Sequence, residues 1–406
     1  MNEDEAALQH AETTYMARPP RQRRGVALAL SGGGYRAALF HLGALRRLND
    51  LGALSRVDTV SSVSGGSIVS AFLADRLRPW PAPGQRFEDF ESAVAAPIKQ
   101  LCGRNIRTAP IVKRLLPWNW LNSQTAVNAL ADTYSREISA RTLQALPEHP
   151  DFVYCATDLP FAVNWVFERE RMGDYQAGYV TPPPDYPLAR AVAASSCFPP
   201  IFSPLKPRLT PADLKGGSDR SPLRDEIVRS LSLTDGGVYD NMGLEPVWKS
   251  HEVLLVSDGG ATFDAGPDRG FFWQLSRFTA VMGDQAGAIR KRWLIAGFIN
   301  KELRGTYWGI GSAAEHFGMS GGYPAQLVDD VVSEIRTDLD AFSPAEQAVL
   351  ENHGYVLAEA ALQRHAPELI ASAPAPFAVP YPNWMDEAKV RTALKDSSRR
   401  RLLGRR

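Results

Sequence analysis

Cysteine is scarce in this sequence of 406 residues. The three that are present, Cys102, Cys155 and Cys197, form no C-x-x-C pair. Three cysteines are too few for the disulfide framework of a small secreted scaffold, and their spacing argues against a structural zinc site. The sequence therefore favours a protein of a reducing compartment.

Long apolar runs and an excess of charge of one sign are also lacking. No stretch approaches the ~20 apolar residues of a membrane span, and the first residues, MNEDE, are acidic where a signal peptide is basic. Lysine plus arginine and aspartate plus glutamate number 45 each, so the charge balance indicates no nucleic-acid partner. We expect a cytoplasmic protein that is at most peripheral to a membrane.

Basic residues nevertheless cluster near both ends of the chain, as RPPRQRR at residues 18–24 and as SSRRRLLGRR at residues 397–406. One interpretation is a pair of solvated, flexible tails. The other is a weak attraction to an anionic lipid surface, to which each nearby basic residue contributes about 1 kcal/mol. The sequence leaves both interpretations open.

Two segments near the N-terminus follow one plan: an apolar run, a glycine turn and a stretch with helical spacing of apolar residues. The first is VALALSGGGYRAALFHLGALRRL, and the second is VDTVSSVSGGSIVSAFLADRL. Two strand–turn–helix units in succession predict an α/β fold with a mostly parallel central sheet. The functional site of such a sheet lies at the carboxyl ends of its strands, where both glycine turns occur.

The rest of the chain divides by composition and periodicity. FVYCATDL and AVNWVFER predict antiparallel strands, EVLLVSDGG predicts a buried strand, and Ser343 to Glu346 is a capping box that opens a helix. The predicted parts are a flexible basic segment (1–24), an α/β domain (25–265) with an insertion (about 78–122) and a surface loop (about 204–230), a helical extension on the same core (266–370), and a proline-rich and then basic tail (371–406).

The insertion is rich in proline and tryptophan, and contains Trp80, Trp118 and Trp120. These side chains suit a lid or an acyl-chain groove, and they equally suit ordinary packing under a long loop.

The first glycine turn, SGGGYRA, has two interpretations. Gly32-x-Gly34-x-x-Ala37 matches a dinucleotide fingerprint, although the acidic residue expected at the end of the second strand is missing. Alternatively, consecutive glycines at a helix N-terminus present unpaired N–H groups to a developing negative charge, which describes an oxyanion hole. Arg36 opposes the helix dipole here, and we expect a salt bridge from it to a neighbouring loop, which would also hold the glycine turn in shape.

The second turn, SSVSGGS, places Ser64 between a strand and the pair Gly65-Gly66. A nucleophile elbow has this arrangement, with G-x-S-x-G as its motif, and Ser62 stands where the first glycine belongs. A serine at a helix N-terminus also serves as a simple cap. From the residues alone both roles stay open for Ser64.

An activating base is needed if Ser64 is a nucleophile. Asp235-Gly236-Gly237 and Asp258-Gly259-Gly260 each follow an apolar run, and either aspartate is a candidate, although D-G-G is also common in plain turns. His251, His316 and His353 are the candidates for a conventional triad, but none stands beside a glycine turn.

Together these motifs resemble those of the patatin-like phospholipases. The matching segments are SGGGYR, SVSGG, AVAASSCFPPIFSP and DGGVYDN, in that order, and the likeness extends from about residue 25 to 262. It implies a three-layer α/β/α fold, a lipid-ester substrate and no cofactor. Carried over by position, it implies these roles: Ser64 as nucleophile, Asp235 as general base, Gly32, Gly33 and Gly34 as oxyanion donors, Arg36 as the anchor of that loop, and Ser62, Gly65 and Gly66 as the elbow backbone.

Ser62 departs from the family motif, and the resulting elbow resembles that of the cytosolic phospholipase A2 branch. Three alternatives remain beside a hydrolase: a transacylase that uses the same acyl-enzyme, a nucleotide-binding module, and a catalytically silent scaffold. The sequence does not predict the head group, the acyl chain or the oligomeric state.

Overall fold

The computed structural model describes residues 22–115, 122, 124–183, 185–199, 202–260 and 270–399. Within these ranges nine strands form one sheet. They are β1 (Val26–Leu30), β2 (Thr59–Ser62), β3 (Asp151–Asp158), β4 (Val163–Phe167), β5 (Met172–Asp174), β6 (Gly178–Val180), β7 (Leu233–Asp235), β8 (Val253–Asp258) and β9 (Arg304–Gly309).

Helices cover both faces of this sheet. They are α1 (Gly34–Asp50), α2 (Gly65–Arg76), α3 (Ala96–Cys102), α4 (Thr108–Leu115), α5 (Thr125–Glu137), α6 (Leu188–Ser196), α7 (Arg224–Arg229), α8 (Gly237–Asp240), α9 (Phe271–Ile299), α10 (Ala325–Leu327), α11 (Pro344–His365) and α12 (Glu387–Leu394). The predicted α/β class is confirmed, and both N-terminal units, β1–α1 and β2–α2, have the predicted strand–turn–helix form.

The sheet combines a parallel and an antiparallel part. Its order is β6-β5-β4-β3-β2-β1-β8-β9, and β7 pairs with β3 beside this path. The neighbouring strands β3, β2, β1, β8 and β9 pair in parallel. The pairs β3–β4, β3–β7, β4–β5 and β5–β6 are antiparallel. The antiparallel β3–β4 pair is therefore as predicted.

Alternation along β1 shows the three layers. Leu28 and Leu30 belong to the larger hydrophobic core, while Ala27 and Ala29 belong to a smaller core on the opposite face. Successive side chains of a strand point to opposite faces, so a strand buried on both faces reads as a continuous apolar run. The sequence VALAL in β1 is such a run.

Strands β2 and β7 share one edge of β3, and this arrangement positions the site. Ser62, the last residue of β2, pairs with Tyr154, and Asp235, the last residue of β7, pairs with Ala156 two residues further along β3. Because β7 runs antiparallel to β3, its C-terminal end points toward the end of β2. Asp235 thus comes next to the turn that follows Ser62.

The C-terminal region is largely helical, as predicted, and also supplies β9, which pairs in parallel with β8. The sequence analysis did not predict this strand. The capping box at α11 is present: Ser343 Oγ accepts the Glu346 N–H at 3.3 Å, and Glu346 Oε2 accepts the Ser343 N–H at 2.6 Å. Within the described ranges, no helix is both long and apolar enough to cross a bilayer.

Several predictions fall partly outside the described residues. Of the insertion's tryptophans, Trp80 packs edge-on against Phe87 and Phe152, with ring centroids 5.1 and 6.3 Å away, whereas Trp118 and Trp120 lie outside the described residues. Most of the basic N-terminal segment and the last seven residues also lie outside them, so a role of the termini at a lipid surface stays a prediction.

Candidate functional site

Ser64 occupies a sharp turn between β2 and α2. Its φ and ψ are 50° and −113°, in a region that residues with a Cβ rarely adopt, and a residue held there costs of order 1–3 kcal/mol. Its N–H donates to Ser195 Oγ at 3.0 Å, and its carbonyl accepts the Ile68 N–H at 3.1 Å. The turn is therefore held by bonds on both sides, and Ser64 lies at the N-terminus of α2.

Other serines of the same segment brace this turn. Ser62 Oγ donates to Val153 O at 3.2 Å and accepts from Ser67 Oγ at 3.2 Å, and Ser67 Oγ lies 2.8 Å from Ser195 Oγ. Ser62, in the place of the first elbow glycine, is thus fully buried with its hydroxyl bonded. Sequence reasoning missed the role of Ser195, although AVAASSCFPPIFSP was among the matching segments.

Asp235 is buried at the end of β7. Its Oδ1 accepts the Gly237 N–H at 2.8 Å, and its carbonyl accepts from Thr157 Oγ1 at 2.8 Å. Burial raises the pKa of Asp235 to about 7, and hydrogen bonds from the Gly237 N–H and from the Ser64 hydroxyl oppose this shift. A carboxyl group that titrates near neutrality thus adjoins Ser64.

The glycine turn packs directly against the elbow. A Cβ on Gly65 would lie 2.1 Å from Gly34 O, and one on Gly32 would lie 2.4 Å from Asn241 Oδ1 and 3.2 Å from Ser64 Cβ. A larger residue at Gly65 would require the backbone of Gly34 to move, whereas one at Gly32 would require the Asn241 side chain to move. The absence of side chains therefore lets the two turns touch.

The N–H groups of the three turn glycines differ in their bonding. That of Gly32 donates to Asn241 O at 2.9 Å, so this predicted donor is engaged. Among the hydrogen bonds of the described residues, none uses the N–H of Gly33, Gly34 or Gly65. Gly33 and Gly34 lie at the N-terminus of α1, and Gly65 lies at the N-terminus of α2. The helix dipoles favour negative charge at these positions.

Arg36 connects the start of α1 to two other segments. Its Nε donates to Gly259 O at 3.2 Å, and its Nη1 donates to Ser333 O at 3.0 Å and to Ile335 O at 2.7 Å. The side chain is buried, and these carbonyls accept from a cation that opposes the helix dipole. The sequence led us to expect a salt bridge from Arg36 to a neighbouring loop, whereas these three partners are backbone carbonyls.

Asp258 follows the same motif as Asp235 but has different surroundings. Its Oδ2 lies 2.9 Å from Lys291 Nζ and accepts from Tyr307 Oη at 2.8 Å, and its Oδ1 accepts the Gly260 N–H at 3.0 Å. Burial alone would raise the pKa of Asp258, but Lys291, with these hydrogen bonds, lowers it to about 2. Asp258 is therefore ionised at neutral pH and paired with a cation.

The histidines considered for a triad bond elsewhere. The polar partners of His251, His316 and His353 include Thr59, Ala313 and Ile310, respectively. Burial lowers the pKa of His353 to about 4, so its ring is neutral. Within the part of the chain that the structure describes, no histidine hydrogen bond reaches Ser64 or Asp235.

Known structures offer distant likenesses. Human GIVD cytosolic phospholipase A2 is 13% identical, with a TM-score of 0.39 over 63% of this chain and 48% of that chain. This chain thus spans about half the length of that phospholipase. VipD from Legionella pneumophila is 14% identical, with a TM-score of 0.35 over 86% of this chain and 68% of that chain.

None of the curated proteins compared with this chain matches it. The family model of the patatin-like phospholipases, by contrast, matches residues 28–248, which is more than half of the chain. That range includes the glycine turn, the elbow and Asp235, and it ends before Asp258. The chain therefore belongs to the patatin-like phospholipase family, a family of lipid-ester hydrolases.

Proposed function

We propose that this protein hydrolyses carboxylic esters of lipids, with Ser64 as nucleophile and Asp235 as its general base. The observation that carries the proposal is the burial of Asp235 beside Ser64, which raises the pKa of this carboxyl to about 7. An ordinary aspartate is too weak a base for a serine hydroxyl, and an efficient general base has a pKa near the working pH. Asp235 meets this requirement without a histidine.

Acylation begins when Ser64 Oγ attacks the ester carbonyl carbon and its proton passes to Asp235. The backbone at φ 50° presents this side chain at the end of β2 and the start of α2, as an elbow requires. The alcohol portion of the lipid then departs with the proton that Asp235 has taken up. Ser64 is left as an acyl ester.

The oxyanion of the tetrahedral intermediate is stabilised by backbone N–H groups of Gly33, Gly34 and Gly65. These groups lie at the ends of α1 and α2 and make no other hydrogen bond within the described residues. One such donor is typically worth about 3 kcal/mol in the transition state. Gly32, whose N–H donates to Asn241 O, is assigned to the shape of the turn.

Deacylation repeats these steps with water as the nucleophile. Asp235 accepts a proton from the water that attacks the acyl carbonyl, and the returning proton restores the Ser64 hydroxyl. An alcohol in place of water would yield a new ester, which is the transacylase alternative.

The proposal is tested by Ser64→Ala, with fatty-acid release from a phospholipid and from a p-nitrophenyl ester as readouts. We expect a loss of at least about 10⁴-fold, because no other group replaces the nucleophile. Ser70→Ala is the matched control, since Ser70 is a buried serine of the same helix. It should retain activity. Near-wild-type hydrolysis by Ser64→Ala would refute the proposal. If the wild-type enzyme transfers the acyl group to an added alcohol and forms a new ester, the transacylase alternative holds.

A further inference from the structure

Helix α9 exposes an apolar stripe along its length. At 100° per residue, the exposed large apolar side chains in the described part of this helix fall within an arc of about 120°. They are Phe278 (64% exposed), Val281 (38%), Met282 (66%), Ile289 (59%), Trp293 (38%) and Ile299 (74%). We call these six residues the α9 stripe. Single exposed apolar residues are common on soluble proteins, whereas a continuous row of them marks an interaction surface.

The opposite face of α9 attaches the helix to the protein. Leu294 and Phe298 pack into the smaller hydrophobic core, Lys291 pairs with Asp258, and Arg290 Nη1 lies 3.5 Å from Glu245 Oε2. The stripe therefore faces away from the sheet. Among the described residues, the contacts of α9 lie on the other side of the helix and leave the stripe exposed.

The direction of α9 places the N-terminal part of the stripe toward the carboxyl ends of the parallel strands, the end of the sheet at which Ser64 lies. Lys291 contacts Asp258 at the carboxyl end of β8, while Gly297 contacts Leu303, just before β9 begins. The helix thus runs antiparallel to β8, and its residues before Lys291, which include Phe278, Met282 and Ile289, lie on the carboxyl-end side of this contact.

A second set of contacts joins α9 to the segment that follows Asp235. The guanidinium of Arg290 lies over the Tyr239 ring, 5.0 Å from its centroid, and its Nη1 is 3.9 Å from Asp240 Oδ2. Both partners belong to α8, whose Val238 is exposed as well. Val238 is thus an exposed apolar side chain on the segment that joins α9 to the proposed base.

We propose that the α9 stripe docks the protein on the surface of a lipid bilayer and so presents the Ser64 site to its substrate. This inference rests on the proposed function, because an enzyme that hydrolyses bilayer lipids must meet them at their interface. The charge pattern supports a lipid occupant rather than a second copy of the chain. Between Phe278 and Ile299 the arc of the stripe also holds Gln285, Arg292 and Ala296, and no acidic residue. Apolar side chains flanked by a cation suit an anionic bilayer surface.

The test is a double variant, Met282→Glu with Ile289→Glu, in the 406-residue chain. The fraction of protein bound is measured by flotation on vesicles of phosphatidylcholine and phosphatidylglycerol. We expect the fraction bound to fall by about tenfold or more, because two carboxylates replace apolar groups at an anionic surface. Hydrolysis of vesicle lipid should fall in parallel. Turnover of a soluble p-nitrophenyl ester should stay within about twofold of wild type, which reports an intact site and fold.

The matched control is the double variant Leu223→Glu with Val112→Glu. These side chains are comparably exposed, at 57% and 47%, and lie away from α9: Leu223 directly precedes α7, and Val112 lies in α4. It should bind vesicles as wild type does. The proposal is overturned if wild type does not bind, if the stripe variant binds equally well, or if the substitutions only convert a dimer to a monomer. Ser64→Ala should still bind, so inactivity and loss of docking are separable. Full activity of Ser64→Ala would refute the proposed chemistry and leave the docking result standing.

Discussion

Two D-G-G motifs of this protein follow strands of the same sheet and differ in what surrounds their aspartates. Asp235 lies among neutral groups, and burial raises its pKa to about 7. Asp258 contacts the ammonium of Lys291 and the hydroxyl of Tyr307, and its pKa falls to about 2. Both are buried, so burial alone does not distinguish them.

The comparison shows that the chemistry of such a motif depends on partners that arrive from elsewhere in the chain. Lys291 comes from α9, and Tyr307 comes from β9, which pairs with β8. Asp235 has Ser64 as its counterpart, supplied by the turn after β2. An opposite charge holds a carboxylate ionised, whereas apolar burial without one produces a base near neutrality.

The largest expected difference between the two motifs is in catalysis. Asp235→Asn removes the proposed base and should lower kcat/KM for a p-nitrophenyl ester by about 10⁴-fold. Asp258→Asn should stay within about tenfold of wild type, because the partners of Asp258 are Lys291, Tyr307 and Gly260. Steady-state kinetics of both variants measure this difference. Equal losses of kcat/KM in Asp235→Asn and Asp258→Asn would show that the two aspartates do not differ in their catalytic role.

The pH dependence of activity sharpens the same comparison. The base must be ionised, so kcat/KM should fall as pH drops through the pKa of Asp235, about 7. The fall should reach about tenfold per pH unit below that value. Asp258→Asn should keep this acid limb in place, since Asp258 is already charged throughout the range. An acid limb near pH 4 in wild type would contradict the raised pKa of Asp235.

The two substitutions should also change the free energy of unfolding, by smaller amounts and in opposite directions. The Asp235 pKa is higher in the folded than in the unfolded chain, so its ionisation costs folding free energy as pH rises from about 4 to about 7. At pH 8 Asp235→Asn should therefore raise the free energy of unfolding, by roughly 1–3 kcal/mol. Thermal unfolding at pH 8 and pH 5 should show that this gain shrinks in acid.

Asp258→Asn should act in the opposite direction. The Asp258 pKa is depressed in the folded protein, so its charge stabilises the fold above about pH 4 and this contribution is lost as pH falls toward about 2. Loss of the contact with Lys291 should destabilise the protein by roughly 1–3 kcal/mol at pH 8. A stabilised Asp258→Asn protein would show that the ion pair has no structural role.

Much of the fold was predictable because its signals are local. The apolar run of β1, the glycine turn and the helical spacing of α1 lie within one short segment, and the same is true of β2 and α2. The capping box at Ser343 is likewise complete within four residues. Three-residue β7 lies in an apolar stretch, but its place on the same edge of β3 as β2 depends on long-range pairing that no local pattern contains.

The site was predictable in part. Ser64 stood out by its position between strand and glycines, but its bond to Ser195 joins residues 131 positions apart in the sequence. The family resemblance distinguished Asp235 from Asp258. No local pattern in the sequence predicts that Lys291 contacts Asp258. The bond from Gly32 to Asn241, and the outward stripe of α9, likewise depend on tertiary packing.

Covalent labelling by a fluorophosphonate, followed by peptide mapping, shows whether buried Asp235 activates Ser64. We expect one labelled residue, Ser64, in wild type and at a similar rate in Asp258→Asn, with labelling at least about 100-fold slower in Asp235→Asn. Labelling of a different residue, or an unchanged rate in Asp235→Asn, would contradict the activation of Ser64 by Asp235.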